Sequence, residues 1–180
     1  LDLSKLEQGS FQIEKRTFDI NELLRLSVIK LEKRITEKNI RLTVGFEGEN
    51  LWVYADKDAI CRVVTNLFDN AIKFTPEGGF IDVNTGVKDG HAYVSIQNSG
   101  LGTEQKDLIH IFDRFYKSDK SRSLDKNGAG LGLYIVKSIV QAHGEKVWAE
   151  SEPGEYTRFS FTLEHVNEKK KHDDRKTEDA

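Results

Sequence analysis

Methionine is absent from all 180 residues, and the chain opens on Leu1. On that ground it reads as a piece of a longer protein. Cysteine occurs once, at Cys61. A single thiol excludes an internal disulfide and fits a reducing compartment, and a packed helical thiol accounts for it. No run approaches the roughly 18–20 apolar residues that a membrane-spanning helix needs. No signal peptide opens the chain. Charge of one sign is missing too: the net value is -3, and the bases are scattered. There is no basic arm with interleaved aromatics, so nothing points to nucleic acid. His91, His110, His143, His165 and His172 are scattered, with no acid–histidine cluster at ligand spacing, so a metal cage is not indicated. No Ser-His-Asp arrangement can be picked out. What remains is 37% hydrophobic and 32% charged, enough for one domain with a proper core.

The chain divides into alternating and helical periods. Phe11 to Phe18 has strand character. Asp19 or Asn21 can cap a helix that runs to about Lys38 on Leu23, Leu24, Leu26, Ile29, Leu31 and Ile35. Ile40, Leu42, Val44 and Phe46 alternate as in a half-buried strand, and Leu51 to Ala55 follows as a short one. Asp56 sits at an N-cap position ahead of a second helix, which Pro76, Gly78 and Gly79 end. Phe80 to Val87 and Ala92 to Gln97 read as strands joined by an Asp89-Gly90 hairpin. Asn98 to Gly102 is a glycine loop, and Gln105 to Ile111 a short helix. Phe112 to Asn127 holds no amphipathic period and is expected to be a mobile loop. A third long helix follows to about His143, then closing strands at Val147 to Glu150 and Thr157 to Leu163 about a Pro153-Gly154 turn. The densely charged residues 166–180 are expected to be disordered.

The second helix carries the most telling pattern. At 100° per residue, Asn66, Asn70 and Lys73 fall within an arc of roughly 60°. Ile60, Val63, Val64, Leu67 and Ala71 form a separate apolar stripe. Asparagine is a poor helix former, because its side chain competes for backbone hydrogen bonds. Two of them one turn apart, in mid-helix, suggest a face turned to a cavity. Downstream, Gly128, Ala129, Gly130, Leu131 and Gly132 open a helix. Glycine lets backbone approach a ligand, and a helix N-terminus offers N–H groups to an anion, so this is a candidate phosphate cradle. It is not a P-loop, since no Gly-Lys-Ser/Thr follows, nor a dinucleotide fingerprint, since no βαβ unit surrounds it.

In order, then, come Asn66-x3-Asn70-Ala71-Ile72-Lys73-Phe74, a Gly100-x-Gly102 loop after a strand, Phe112-Asp113-Arg114-Phe115-Tyr116-Lys117, and Gly128-x-Gly130-Leu131-Gly132-Leu133. This series resembles the catalytic ATP-binding domain of sensor histidine kinases, with its N, G1, F and G2 boxes all placed between roughly Phe18 and Leu163. Leu1 to Gly9 resembles the end of the second helix of the kinase dimerisation domain. The wider superfamily includes gyrase, mismatch-repair ATPases and a heat-shock chaperone. The F box and the kinase-like start favour the histidine kinase branch.

The resemblance implies three segments: 1–10 as the end of the dimerisation helix, 11–165 as the catalytic domain, and 166–180 as a tail. It implies an α/β two-layer sandwich of the Bergerat type, a mixed, mostly antiparallel sheet with three main helices on one face. ATP and Mg²⁺ would be the cofactors. Asn70 would present an amide oxygen to the metal with Asn66 in support, Lys73 would neutralise phosphate, and Phe74 would cover the adenine. Asn98, Gly100 and Gly102 would lie at the base. Lys117 and Arg122 would reach the phosphates from the lid, and Phe112 and Phe115 would anchor that lid on the core. Gly128, Ala129, Gly130, Leu131 and Gly132 would give backbone N–H groups, and Leu133 would line the pocket. The partners implied are the dimerisation and phosphoacceptor domain of the same protein and a response regulator. The whole would be a homodimeric, membrane-anchored bacterial sensor kinase with this domain in the cytoplasm, not itself touching membrane.

Three departures stand out. Asn98 replaces the family's aspartate, so the acceptor for the adenine amino group loses charge assistance worth on the order of 1 kcal/mol. Gly102-Thr103-Glu104 stands where Gly-Ile-Pro is usual, and His143-Gly144-Glu145 where His-Gly-Gly is. None of the five histidines has a phosphoacceptor context, so residues 1–180 are expected to bind ATP without phosphorylating themselves. Asn98 also keeps open a nucleotide-sensing or scaffolding pseudokinase with weakened ATP binding.

Overall fold

The three central strands of the main sheet bury alternate residues against helices. In the computed structural model, which describes residues 12–117 and 129–167, the inward set includes Ile81, Val83, Val94, Ile96, Phe159, Phe161 and Leu163, all almost fully buried. In chain order the elements are β1 (Arg16–Asp19), α1 (Ile20–Glu37), β2 (Arg41–Gly45), β3 (Trp52–Ala55), α2 (Lys57–Phe74), β4 (Phe80–Lys88) and β5 (His91–Ser99). There follow α3 (Gln105–Leu108), α4 (Gly132–Ala142), β6 (Val147–Glu152) and β7 (Tyr156–Glu164). Five strands pair in the order β2-β4-β5-β7-β6. Only β2 and β4 run parallel; the other three pairs are antiparallel. Three long helices, α1, α2 and α4, cover one face, which is the two-layer α/β architecture expected. The β4–β5 hairpin turns at Asp89 (φ 51°) and Gly90 (φ 80°), the two left-handed residues of a type I′ turn.

The N-terminal strand is shorter than predicted. Only Arg16–Asp19 finds a partner, pairing antiparallel with β3. The partner runs out because Asp56 ends β3 and caps α2, and Glu14 N–H donates to the Asp56 carboxylate instead of to a strand. Asp19, not Asn21, caps α1. Asn21 is fully buried, donating to the Glu47 carbonyl and accepting from the Thr85 hydroxyl, so it ties α1 to the sheet.

Three other expectations change. Asn98 and Ser99 stay in β5, paired with Thr157 and Tyr156, so the first glycine loop begins at Gly100. The short helix is a single turn, Gln105–Leu108. Phe112 does pack on the core, its ring edge-on to Phe159 at 6.0 Å, but Phe115 is 60% exposed and does not anchor. At the far end, Val166 is buried and its N–H donates to the Trp52 carbonyl. The expected dimerisation-helix end at 1–10, most of the Phe112–Asn127 loop and most of the charged tail lie outside the described residues.

Candidate functional site

α2 is amphipathic in the sense its sequence requires. Asp56 caps it by accepting from the N–H groups of Asp58 and Ala59. Ala59, Ile60, Val63, Val64, Leu67, Phe68, Ala71 and Ile72 are buried in the core. The neighbouring face, carrying Asn66, Asn70, Lys73 and Phe74, lines a cavity of ≈ 430 Å³. That volume suits a nucleotide-sized ligand.

The other walls come from distant segments. Ala129, Gly130, Leu131, Gly132 and Leu133 form one of them. No side chain caps α4 among the described residues, and its first turn holds no acid, so the N–H groups of a helix N-terminus open onto the cavity. Gly130 must be glycine: its φ is +67°, and an added Cβ would meet the Phe115 backbone at 3.0 Å. The same contact carries a hydrogen bond from Phe115 N–H to the Gly130 carbonyl, which joins the F-box region to the second glycine loop. Gly132 comes close to α2, where a Cβ would lie 3.1 Å from Asn66 Oδ1. The Asn66 amide donates back to the Arg62 carbonyl through Nδ2, which leaves that oxygen turned toward the start of α4.

Asn98 enters from the end of β5 and is 4% exposed. Its Nδ2 donates to the Ser99 carbonyl at 3.0 Å. The amide N–H that the replacement of aspartate brings is therefore answered within the chain, and Oδ1 remains as an acceptor. Thr157, its neighbour across the β5–β7 pair, also lines the cavity. Gly102 is the other obligatory glycine, with φ +63° and a virtual Cβ 2.3 Å from the Glu152 carbonyl. Thr103 N–H donates to the Ser151 hydroxyl, pinning this first loop to β6. The Thr103 hydroxyl, which an isoleucine would lack, lies 3.4 Å from the Thr157 hydroxyl.

Cationic groups gather on the cavity. Lys73 and Lys117 both line it, and the Lys73 ammonium lies 5.6 Å from the Phe74 ring centroid. Asp69 lines it too, but its charge is engaged by Arg34, which lowers its repulsion toward an anion. Both groups of that pair are about half exposed, so it adds little stability. Tyr116 is set at the wall by donating to Asp107 Oδ1 at 2.6 Å.

Of the residues singled out from sequence, Asn66, Asn70, Lys73, Phe74, Asn98, Gly102, Lys117, Ala129, Gly130, Leu131, Gly132 and Leu133 meet on this one cavity. Gly100 does not line it; it packs against the Phe74 carbonyl instead. Arg122 and Gly128 lie outside the described residues. Asp69, Leu101, Thr103, Ile111, Tyr116, Ile135, Thr157 and Phe159 complete the lining and were assigned no role in the site from sequence. The Thr157 and Phe159 alternation marks them as inward-facing, but nothing local says that their inward side is a cavity wall.

The donor set also bears on a metal. Among the described residues no group of three His, Cys, Asp or Glu side chains is placed to hold an ion. The cavity offers amide oxygens. That fits Mg²⁺ that keeps its waters and is held chiefly by phosphates, with one or two protein oxygens in support.

Residues 55–167 match the family described as histidine kinase-, DNA gyrase B-, and HSP90-like ATPase. Sensor histidine kinase WalK of Bacillus subtilis (strain 168) is 35% identical over 170 residues, covering 93% of this chain and 28% of that protein. The chain thus spans under a third of this curated relative. The solved catalytic domain of histidine kinase ThkA, in a nucleotide-free form, is 31% identical with a TM-score of 0.75, covering 84% of this chain and 95% of that one. Histidine kinase ThkA has also been solved in complex with the response regulator protein TrrA; there the identity is 28% and the TM-score 0.75, over 91% of this chain and 46% of that one.

Proposed function

This chain belongs to the histidine kinase-, DNA gyrase B-, and HSP90-like ATPase family as the catalytic ATP-binding domain of a sensor histidine kinase, and from that premise we propose that the cavity beside α2 binds Mg-ATP. The observation that carries the reading is the convergence of the asparagine face of α2 with the uncapped N-terminus of α4 on one cavity. Asn70 and Asn66 supply amide oxygens toward the metal and its waters. Lys73, Lys117 and the opening N–H groups of α4 take the phosphates, aided by Gly130 and Gly132, which let the backbone come close. Phe74 and Leu133 give the base apolar contact, and Asn98 Oδ1 accepts from its amino group.

In the full protein the γ-phosphoryl passes to a histidine outside residues 1–180. The attacking imidazole nitrogen forms the new P–N bond while the bond to the β-phosphate oxygen breaks, and ADP leaves. Mg²⁺, when bound, supplies charge neutralisation at the β- and γ-phosphates. This domain supplies position and positive charge, which is most of what phosphoryl transfer asks of a protein. Residues 1–10 then end the dimerisation helix that joins 11–165 to the phosphoacceptor, residues 166–180 form a charged tail, and a response regulator receives the phosphoryl group. The solved complex of histidine kinase ThkA with a response regulator supports that last partner. No helix among the described residues is long and apolar enough to cross a membrane. The reading places this domain on the cytoplasmic side of a membrane-anchored, homodimeric bacterial kinase.

Titrating the chain with Mg-ATP and Mg-ADP by calorimetry tests the reading. Saturable binding that weakens by about a hundredfold in Asn70→Ala is expected. Absence of binding at millimolar nucleotide would overturn it and favour a scaffolding domain, the alternative that rests on Asn98.

A further inference from the structure

The C-terminal turn of α2 is held by a group from another element. The Ala71 carbonyl is taken from within, by the Thr75 N–H at 2.9 Å and its hydroxyl at 2.6 Å. The next carbonyl, Ile72, would need a donor four residues on, but that residue is Pro76, which has no N–H. The Lys38 ammonium, just past the end of α1, fills the gap. It donates to the carbonyls of Ile72 at 2.7 Å, Lys73 at 3.2 Å and Thr75 at 2.7 Å. An ammonium has three N–H donors, so all three are used. A cation at this end also meets the negative pole of the helix. The Phe74 carbonyl faces Gly100, where an added Cβ would come within 2.7 Å.

Lys38 is fixed in turn. Its carbonyl accepts from Gly78 N–H, and Asn39, in a left-handed conformation at φ 51°, donates to Glu77. The two connections, 38–39 and 77–78, thus clasp each other. Burial and the nearby Arg34 guanidinium push the Lys38 ammonium below the usual lysine range. The charge sits there against that cost because three carbonyls receive it.

We propose that Lys38 is a positioning residue for the nucleotide, its ammonium setting the last turn of α2 and thereby the placement of Lys73 and Phe74 on the cavity. The inference rests on the reading of that cavity as the ATP site. The gripped carbonyls belong to Lys73 itself and to residues on both sides of Phe74, so fraying this turn moves two cavity side chains at once.

The test compares three variants of the 180-residue chain, each checked for folding by circular dichroism. Lys38→Met keeps length and removes the donors; Lys38→Arg keeps charge and donors. Val166→Ala removes buried methyl groups at a site that does not line the cavity. Affinity for a non-hydrolysable Mg-ATP analogue is measured by calorimetry, and exchange of the Thr75 amide by NMR without nucleotide. Lys38→Met should lose about tenfold in affinity, or about 1.4 kcal/mol, and its Thr75 amide should exchange faster. Lys38→Arg should recover most of the affinity. Val166→Ala should lose stability and keep wild-type affinity. Wild-type affinity in Lys38→Met, or the same loss in Val166→Ala, overturns the inference alone. No binding by the wild type overturns the ATP reading, and the inference falls with it.

Discussion

The two ends of α2 are capped by opposite chemistry and face different tasks. At the N-terminal end Asp56 accepts from Asp58, Ala59 and Glu14 N–H groups, while its own N–H donates to His143 Nε2 at 3.0 Å. His143 Nδ1 lies 2.8 Å from the Ile139 carbonyl. One ring nitrogen donates and the other accepts, so the imidazole is neutral. At the C-terminal end an ammonium grips three carbonyls. Carboxylate at the positive pole and ammonium at the negative one both suit the helix dipole. Yet neither Asp56 nor His143 lines the cavity, whereas the last turn of the other end carries Lys73 and Phe74 into it. Opposite caps thus hold a core-facing end and a cavity-facing end of one helix, and single substitutions can pull the two apart.

The largest effect is expected between the ends, on the asparagine face. The Asn70 side chain makes no hydrogen bond among the described residues, so Asn70→Ala should leave the melting temperature nearly unchanged. It should weaken Mg-ATP by about a hundredfold, or about 2.7 kcal/mol; a parallel loss of stability would mean the residue is structural. Asp56→Ala inverts the pattern. Loss of the cap should cost about 1–2 kcal/mol in urea unfolding, with wild-type nucleotide affinity.

The His143 end also makes a pH prediction. Burial holds its imidazole below the usual histidine range. The unfolded state therefore binds the proton more readily, and the contribution of this contact is complete above the unfolded pKa of about 6.5. It is lost as pH falls through the lower folded value, with a slope of at most about 1.4 kcal/mol per pH unit for one proton. Urea midpoints measured from pH 8 to 5 should fall across that window, and His143→Gln should flatten the fall. An unchanged profile in the variant would assign the acid sensitivity elsewhere.

Asn98→Asp should give the smallest effect. Charge assistance to the adenine amino group is worth on the order of 1 kcal/mol. The substitution also removes the Nδ2 bond to Ser99 and sets a carboxylate oxygen against that carbonyl, which offsets the gain by about the same amount. Calorimetry should show ATP affinity within severalfold of wild type; a gain well beyond about tenfold (about 1.4 kcal/mol) would show that the Ser99 bond matters little.

Local chemistry made much of this readable in advance. Asp56 caps α2, and Asp89-Gly90 makes the predicted hairpin, because both depend on residues adjacent in sequence. The asparagine face of α2 turns to a cavity because helical period alone separates it from the apolar stripe. The misreadings share one cause. Phe11 to Phe18 alternates, but a strand needs a partner, and β3 offers only four residues. Asn98 looked like loop because glycines follow it, while its pairing with Thr157 comes from β7, far along the chain. Phe115 looked like an anchor from its aromatic ring, but its backbone is in the left-handed region (φ 60°) and its side chain is 60% exposed.

Sequence alone determined the helical periods, the Asp56 cap, the Asp89-Gly90 turn and the residues that share the asparagine face of α2, since each follows from neighbours a few positions away. Tertiary structure alone decided that Lys38 reaches the end of α2, that His143 meets Asp56, and that Thr157 and Tyr156 pair with the end of β5. Those contacts join residues 34 to 87 positions apart, and no local preference encodes a hydrogen bond whose two halves meet only when the sheet and helices have packed.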